Sequence, residues 1–303
     1  MQGLISPSTP LLPASEITLI YFVSHLAKTV SYNTLKLYLF AVQDLHRQYN
    51  FPLKLPKMFR LQKVLNGIKR SQTPVKLDRY PITIQILQSI FNSYQPHLSC
   101  DLNYIMLWAA FTLAFFGFLR SSEFTCNDKV FDPETHLCFK DVTFVPNIES
   151  PNYMLVLIKR SKTDPFRHGC TLTLARSTTS ICAVMAMKDY VLQCQPSSAG
   201  PLFTFTSGKW LTRTSLTHEL RDVLQHCGIQ PQHYFSHSFH IGAATTAAAA
   251  GIPAWLIKVL GRWSSDCYER YIRTPQETLL AIPKQLSMNC STNCRLDRSL
   301  LST

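Results

Sequence analysis

Two histidines three residues apart lie in the stretch FSHSFHIGAATTA, residues 235 to 247. His237 and His240 precede a run of small residues, which allows one backbone segment to pack close to another. An imidazole can bind a metal, transfer a proton or contact a phosphate. The local pattern provides no carboxylate or third ligand for a metal, so proton transfer or phosphate contact is favoured.

Two further stretches carry charged groups suited to the same chemistry. In FLRSSEF, Arg120 follows a long apolar run and Glu123 comes one helical turn later, where its carboxylate could orient the guanidinium. In RSKTD, Lys162 falls at the tip of a predicted hairpin, from which its ammonium can reach outward. Each residue has a structural alternative, since Arg120 could form an ordinary ion pair and Lys162 could be a solvated turn lysine.

The stretch LGRWSSDCYERYIR adds aromatic groups near the C-terminal end. Trp263 offers an indole N–H, and Tyr268 and Tyr271 offer hydroxyl groups. The alternative is that either tyrosine simply packs in the core.

Taken in order, these pieces resemble the tyrosine recombinases, also called phage integrases. The pattern of that family is Arg-x-x-Glu, a hairpin lysine, His-x-x-Arg, a His or Trp after a glycine, and a tyrosine eight or nine residues later. Here the corresponding residues are Arg120-Ser-Ser-Glu123, Lys162, His237-Ser-Phe-His240, Gly261-Arg-Trp263 and Tyr271. The resemblance covers about residues 15 to 280, and its C-terminal part is most similar to recombinases of eukaryotic mobile elements of the Crypton or DIRS type.

The resemblance implies DNA strand cleavage and rejoining without a metal or nucleotide cofactor. Tyr271, rather than Tyr268, would attack the phosphodiester and leave a 3′-phosphotyrosine and a free 5′-hydroxyl. Arg120 would grip two phosphate oxygens, and Lys162 would protonate the leaving oxygen. His237 would assist proton transfer or bind the phosphate, and Trp263 would donate its indole N–H and pack the site.

His240 stands where the family pattern has its second arginine. A neutral imidazole offers one N–H, whereas arginine keeps its charge and its bidentate grip. Losing one transition-state donor costs on the order of 10²- to 10³-fold in rate. We therefore expect impaired catalysis that improves below about pH 6.5, where an ordinary histidine becomes cationic. The alternative is a non-catalytic DNA-binding protein derived from a mobile-element recombinase.

The composition of the chain agrees with a nucleic-acid partner. Its 303 residues include 30 Lys and Arg against 18 Asp and Glu, which gives a formal charge of +12. This excess predicts attraction to a polyanion, and double-stranded DNA is the partner that the resemblance implies. Ten cysteines are scattered without any C-x-x-C pair, so we expect reduced intracellular thiols and no zinc site.

The positive charge is concentrated near the N-terminal end. Residues 14 to 70 show helical periodicity, with Ser15 and Ser31 as predicted N-caps. The segment 54–79 contains many Lys and Arg residues and only one acidic residue. This excess of positive charge favours a surface that binds along a phosphate backbone over an ordinary solvated helix face. The DNA-binding candidates are Lys54, Lys57, Arg60, Lys63, Lys69 and Arg70.

The periodicity further along the chain predicts a mainly α protein with a small antiparallel β-sheet, an α+β class. Two apolar runs at 153–158 and 170–174 predict a hairpin, and helical patterns cover 181–193, 215–227, 237–250 and 253–260. With the resemblance, the predicted divisions are a helical core-binding (SAM-like) DNA-binding domain at 1–72, a linker at 73–82, an integrase-like catalytic domain at 83–288 and a loose polar tail at 289–303.

The segment 102–119 is nearly all apolar and approaches the length that spans a bilayer. A buried core helix has the same composition, and we expect that reading, with no membrane partner. The resemblance also implies a homo-oligomer on DNA, a synaptic tetramer. It implies a nuclear location if the chain derives from a eukaryotic mobile element.

Overall fold

The protein is described by a computed structural model that covers two compact units, Met1–Leu77 and Asp78–Thr303. Within them the structure describes residues 12–72, 79–126, 130–162, 164, 166 and 168–263. Most of the predicted linker, at 73–78, and the predicted tail at 289–303 lie outside the described residues.

The described part of the first unit, residues 12–72, contains three α-helices, α1 (Glu16–Leu26), α2 (Tyr32–Gln48) and α3 (Phe59–Ser71). Both predicted N-caps are confirmed, because the hydroxyls of Ser15 and Ser31 accept hydrogen bonds from the backbone N–H groups three residues on. The three helices enclose a small leucine-rich core, and α1 packs along α3. A short core of this kind leaves the outer face of α3 free for charged side chains.

The second unit holds the remaining helices of the described chain. They are α4 (Ile84–Tyr94), α5 (Leu102–Phe116), α6 (Ser121–Phe124), α7 (Ala183–Cys194), α8 (Arg213–His226), α9 (Ser238–Ala249) and α10 (Ala254–Leu260). Helix α5 is the centre of this unit, since every residue from Ile105 to Phe115 is buried, and it packs against α7 and α9. The buried-helix prediction for the apolar segment is confirmed. In the described part of the chain no helix combines the length and apolar character needed to cross a bilayer.

Three strands form one antiparallel sheet in the order β1 (Val142–Val145), β2 (Tyr153–Ile158) and β3 (Cys170–Ala175). The predicted hairpin is therefore confirmed, with Ile158 opposite Cys170 at the end next to the connection between the two strands. The alternating burial along β2 places one face of the sheet against the core. The α+β fold class predicted from the periodicity is the one observed.

Helix α9 owes its central position to small side chains. The segment before α4 lies against it, and the Ile82 N–H donates to the Ser238 carbonyl at 3.0 Å. A Cβ added at Gly242 would lie 1.7 Å from the Ile82 carbonyl oxygen. Only glycine allows this close approach. The start of α9, which carries both histidines, is thus fixed between α5 and the chain before α4.

Candidate active site

Arg120 lies where the chain turns from the end of α5 into the short helix α6. Helix α5 ends at Phe116 with Gly117 as its C-cap, and Phe118 then takes a left-handed conformation with φ 48°. The Arg120 backbone N–H donates to the Glu123 carboxylate at 3.0 Å, and its Nη1 lies 3.2 Å from the other carboxylate oxygen. The Arg-x-x-Glu spacing therefore produces the predicted pairing.

Glu123 is a buried carboxylate that two guanidinium groups share. Its Oε1 accepts from Arg120 and, at 2.9 Å, from the Ser161 hydroxyl. Its Oε2 accepts from the Arg120 N–H and, at 2.7 Å, from Nη2 of Arg262. The side chain of Glu123 is fully buried, so these donors replace the water that an ionised carboxylate requires. Ser161 and Arg262 were both missed by the sequence reasoning.

The hairpin contains two lysines with different environments. Lys159 is an internal group whose ammonium lies 2.6 Å from the buried Asp141 carboxylate and 2.7 Å from the Pro133 carbonyl. Lys162, the predicted site lysine, is exposed in the connection between β2 and β3. A cavity of about 300 Å³ beside it is lined by Ser122, Thr135, His136, Arg160, Ser161 and Lys162. Of the two lysines, Lys162 is the one able to reach a bound ligand.

His237 lies at the N-cap of α9 and is partly buried. Burial is the largest cause that lowers the pKa of its imidazole, to about 4. Nearby positive charges lower it further, and these come from Arg79, Arg120, Arg213 and Lys162. The imidazole is therefore neutral near pH 7 in a strongly positive environment.

His240 is completely buried on the first turn of α9. Its Nδ1 lies 2.7 Å from the Phe118 carbonyl oxygen, and its ring lies 4.4 Å from that of Trp263. A carbonyl oxygen can only accept, so Nδ1 carries the hydrogen. In the neutral ring Nε2 then has no hydrogen to donate to a phosphate.

The environment of His240 corrects the expected pH dependence. Burial, followed by the charges of Arg120 and His237, lowers the pKa of this imidazole to about 3. The expectation of a cationic histidine below about pH 6.5 assumed an ordinary pKa and is wrong for the folded protein. The imidazole stays neutral throughout the range in which an ordinary histidine is titrated.

Trp263 is buried against His240 at the end of the turn that follows α10. A Cβ at Gly261 would lie 1.6 Å from the indole ring, so glycine at this position makes room for the indole. Between them, Arg262 extends back to the end of α5. The sequence pattern predicts a role for Trp263 in this triplet but none for Arg262, which directly follows the glycine.

The six predicted DNA-binding residues belong to the first unit and are all exposed. Arg60, Lys63 and Arg70 share one face of α3, since they are three and seven residues apart, and this face is opposite the buried Leu61 and Leu65. They form a solvent-facing basic stripe. Lys69 lies elsewhere on the helix, with its ammonium 5.9 Å from the Tyr32 ring centroid.

In the second unit the structure brings together Arg120, Glu123, Lys162, His237, His240 and Trp263. Arg120 and Lys162 lie close enough to His237 for their positive charges to lower the pKa of its imidazole. The rings of Trp263 and His240 are in contact. The predicted nucleophile Tyr271 and its alternative Tyr268 lie outside the described residues.

The sequence is similar to a protein described as an integrase/recombinase. Over 271 residues it is 25% identical to an integrase/recombinase xerD homolog of Selenomonas ruminantium, a match that covers 86% of this chain and 74% of that protein. No family model matches the sequence.

Solved structures agree at the level of fold. The XerH site-specific recombinase in a post-cleavage complex with a palindromic difH substrate has a TM-score of 0.57 at 13% identity, over 90% of this chain and 70% of that one. The Tn1549 transposon integrase in complex with transposon right end DNA has a TM-score of 0.54 at 15% identity, over 92% and 87%. The chain is thus related in sequence to an integrase/recombinase and has the fold of the tyrosine recombinase catalytic domain.

Proposed function

We propose that this chain is a DNA-binding tyrosine recombinase-type protein that cleaves and rejoins DNA strands through a 3′-phosphotyrosine at Tyr271. The observation that carries the proposal is the positive field at His237, where four cationic side chains act on one partly buried imidazole. Such a concentration of positive charge suits an anion such as a phosphodiester. The relationship to an integrase/recombinase supports the same chemistry.

The side chains divide the proposed reaction between them. Arg120, fixed by Glu123, binds the non-bridging oxygens of the phosphate, whose negative charge grows in the transition state. Lys162 is exposed and protonates the leaving 5′-oxygen. Because His237 is neutral near pH 7, it can accept a proton from the attacking tyrosine. No metal or nucleotide takes part in this scheme.

We further propose that His240 slows this reaction. It is neutral, and it uses its only N–H on the Phe118 carbonyl. It therefore brings neither a full positive charge nor a phosphate donor to the position where the family pattern has arginine. The expected cost is on the order of 10²- to 10³-fold in the cleavage rate.

The basic stripe of α3 supports the DNA-binding part of the proposal. Its cations are exposed and separate from the leucines of the core, so they are available to phosphates. Replacing Arg60, Lys63 and Arg70 together by Gln should weaken duplex binding and lower the slope of log Kd against log salt by about three. The matched control replaces three other exposed basic residues of the same unit by Gln, namely Lys28, Lys36 and Arg47.

The partner, assembly and origin follow from the resemblance and belong to the same proposal. Double-stranded DNA is the substrate, and a synaptic tetramer is the proposed assembly on it. The resemblance of the C-terminal sequence to Crypton and DIRS recombinases favours a mobile-element origin. A nuclear location follows if that element is eukaryotic.

The direct test uses a suicide substrate, a nicked duplex that traps the covalent intermediate. A pool of such duplexes with randomised sequence, first enriched for binding, avoids the need to know the target site. Wild type is compared with Tyr271→Phe, and Tyr268→Phe is the matched control.

A denaturation-resistant protein–DNA adduct that is lost in Tyr271→Phe and retained in Tyr268→Phe would support the proposal. Loss of the adduct in Tyr268→Phe alone would assign the nucleophile to the other tyrosine and refute this part of it. The second candidate function, a DNA-binding protein without catalysis, is favoured by the neutral state of His240. Salt-dependent binding by wild type without any adduct would support that alternative.

A further inference from the structure

Arg262 occupies an unusual backbone conformation in the turn after α10. Its φ is 53°, in the left-handed region that residues other than glycine rarely adopt. A left-handed conformation is unfavourable for a residue with a Cβ. This conformation persists only if the surroundings hold the residue firmly, and the contacts of its side chain provide the reason.

The Arg262 guanidinium donates to buried backbone carbonyls in the turn that follows α5. Its Nη2 donates to the Phe118 carbonyl at 2.9 Å, and its Nη1 donates to the Gly117 carbonyl at 3.2 Å and to the Leu260 carbonyl at 3.1 Å. The last carbonyls of a helix lack intrahelical partners and carry partial negative charge, so a cation is favoured there. The turn after α10 is thereby tied to the element that ends next to Arg120.

Arg262 is also coupled directly to Arg120. The two guanidiniums bind opposite oxygens of the same buried carboxylate, Glu123. In return, Nη2 of Arg120 lies 3.3 Å from the Gly261 carbonyl oxygen. These bonds form a closed network in which a shift of Arg262 displaces both the carboxylate and the first arginine.

The position of Arg262 bears on the missing arginine at 240. The His240 imidazole and the Arg262 guanidinium both donate to the Phe118 carbonyl oxygen, so they are immediate neighbours. Arg262 adds a fixed positive charge beside a site in which position 240 is a neutral histidine. Together with Arg120 and Glu123 it leaves this cluster with one net positive charge.

We propose that Arg262 is a positioning residue of the site, which supplies from the turn after α10 the fixed cation that the family pattern places on α9, and which holds Glu123 and Arg120 in position. This inference rests on the proposed function. Arg262 donates from Nη1 and Nη2 to the carbonyls of the turn after α5 and to Glu123, so it acts on the site through Glu123, through Arg120 and through its charge.

The test measures inorganic phosphate binding at pH 7 from the NMR shift of the His237 ring, together with thermal unfolding. Arg262→Gln should weaken phosphate binding about tenfold, because one nearby charge is lost and Arg120 is released. Arg262→Lys keeps the charge but not the planar fork, so it should weaken binding by only about threefold. Arg176→Gln removes an exposed arginine of the same unit and should leave binding unchanged.

A second arm uses His240→Arg, which does not alter Arg262. Alone, it crowds a third guanidinium against one carboxylate, so it should lower the melting temperature without improving phosphate binding. Combined with Arg262→Gln, it should bring the affinity back to within about threefold of wild type. This reciprocity is what an arginine with a purely structural role would not produce.

Phosphate binding by a folded Arg262→Gln that equals wild type would overturn the proposal. So would a tenfold gain from His240→Arg alone with an unchanged melting temperature. If Arg262→Gln does not fold, the Arg262→Lys and His240→Arg results decide in the same way. Neither readout requires DNA cleavage, so absence of a covalent adduct contradicts the proposed function only. A wild type that binds no phosphate contradicts both.

Discussion

Acid should destabilise the second unit through His240, and the structure fixes the size of the effect. The pKa of this imidazole is lowered from an ordinary 6.5 to about 3 in the folded protein. The unfolded chain therefore binds a proton between those values while the folded chain does not. Stability is full above pH 6.5 and is lost as the pH falls below it. At pH 5 the loss relative to pH 7 is about 2 kcal/mol for this one residue.

The variant His240→Asn isolates the contribution, because the Asn amide can still donate to the Phe118 carbonyl but has no titration in this range. Urea unfolding is followed by tryptophan fluorescence at pH 7 and pH 5. All four tryptophans belong to the second unit, so the signal reports on that unit alone. The free energy of unfolding should fall by about 2 kcal/mol less in His240→Asn than in wild type over this interval.

The matched control is His226→Asn at the exposed end of α8, a surface substitution whose free energy of unfolding should stay within about 0.5 kcal/mol of wild type. If wild type and His240→Asn lose the same stability between pH 7 and pH 5, the buried imidazole must accept a proton readily in the folded state. The neutral ring and its single N–H donor, on which the argument for slowed catalysis depends, would then be refuted.

Two further predictions each compare two residues of the same type that lie in different environments. Gly242→Ala should lower the free energy of unfolding by about 3 kcal/mol, because the new Cβ would meet a backbone carbonyl. Gly67→Ala, on α3, should raise the free energy of unfolding by about 0.5–1 kcal/mol, because its Cβ would meet no other atom. Thermal unfolding by circular dichroism checks both, and an unchanged Gly242→Ala would show that the close approach is absent. Lys159→Ala should cost about 3 kcal/mol because it leaves Asp141 buried and unpaired, while Lys162→Ala should be neutral in stability but should abolish the covalent adduct. The opposite pattern would exchange the roles of the two lysines.

The sequence by itself determined the local structure and most of the reactive side chains. Periodicity predicted the amphipathic helices, because burial repeats with the turn of such a helix, whereas the buried α5 was predicted from its uniformly apolar sequence. Two apolar runs around a polar turn specified the hairpin and placed Lys162 at its exposed connection. The spacing of Arg120 and Glu123 brought them together, since residues three apart on a helical turn are neighbours.

The tertiary structure alone decided what the remaining residues do. Arg262 lies 139 residues from Glu123 along the chain, and no local spacing predicts that they share an ion pair. The Phe118 carbonyl that fixes the hydrogen of His240 is 122 residues away. Burial and charge from distant elements set the pKa of both histidines, so sequence could assign the residue type at 240 but not its protonation state. These properties are sums over neighbours in space, and a linear pattern records neighbours only along the chain.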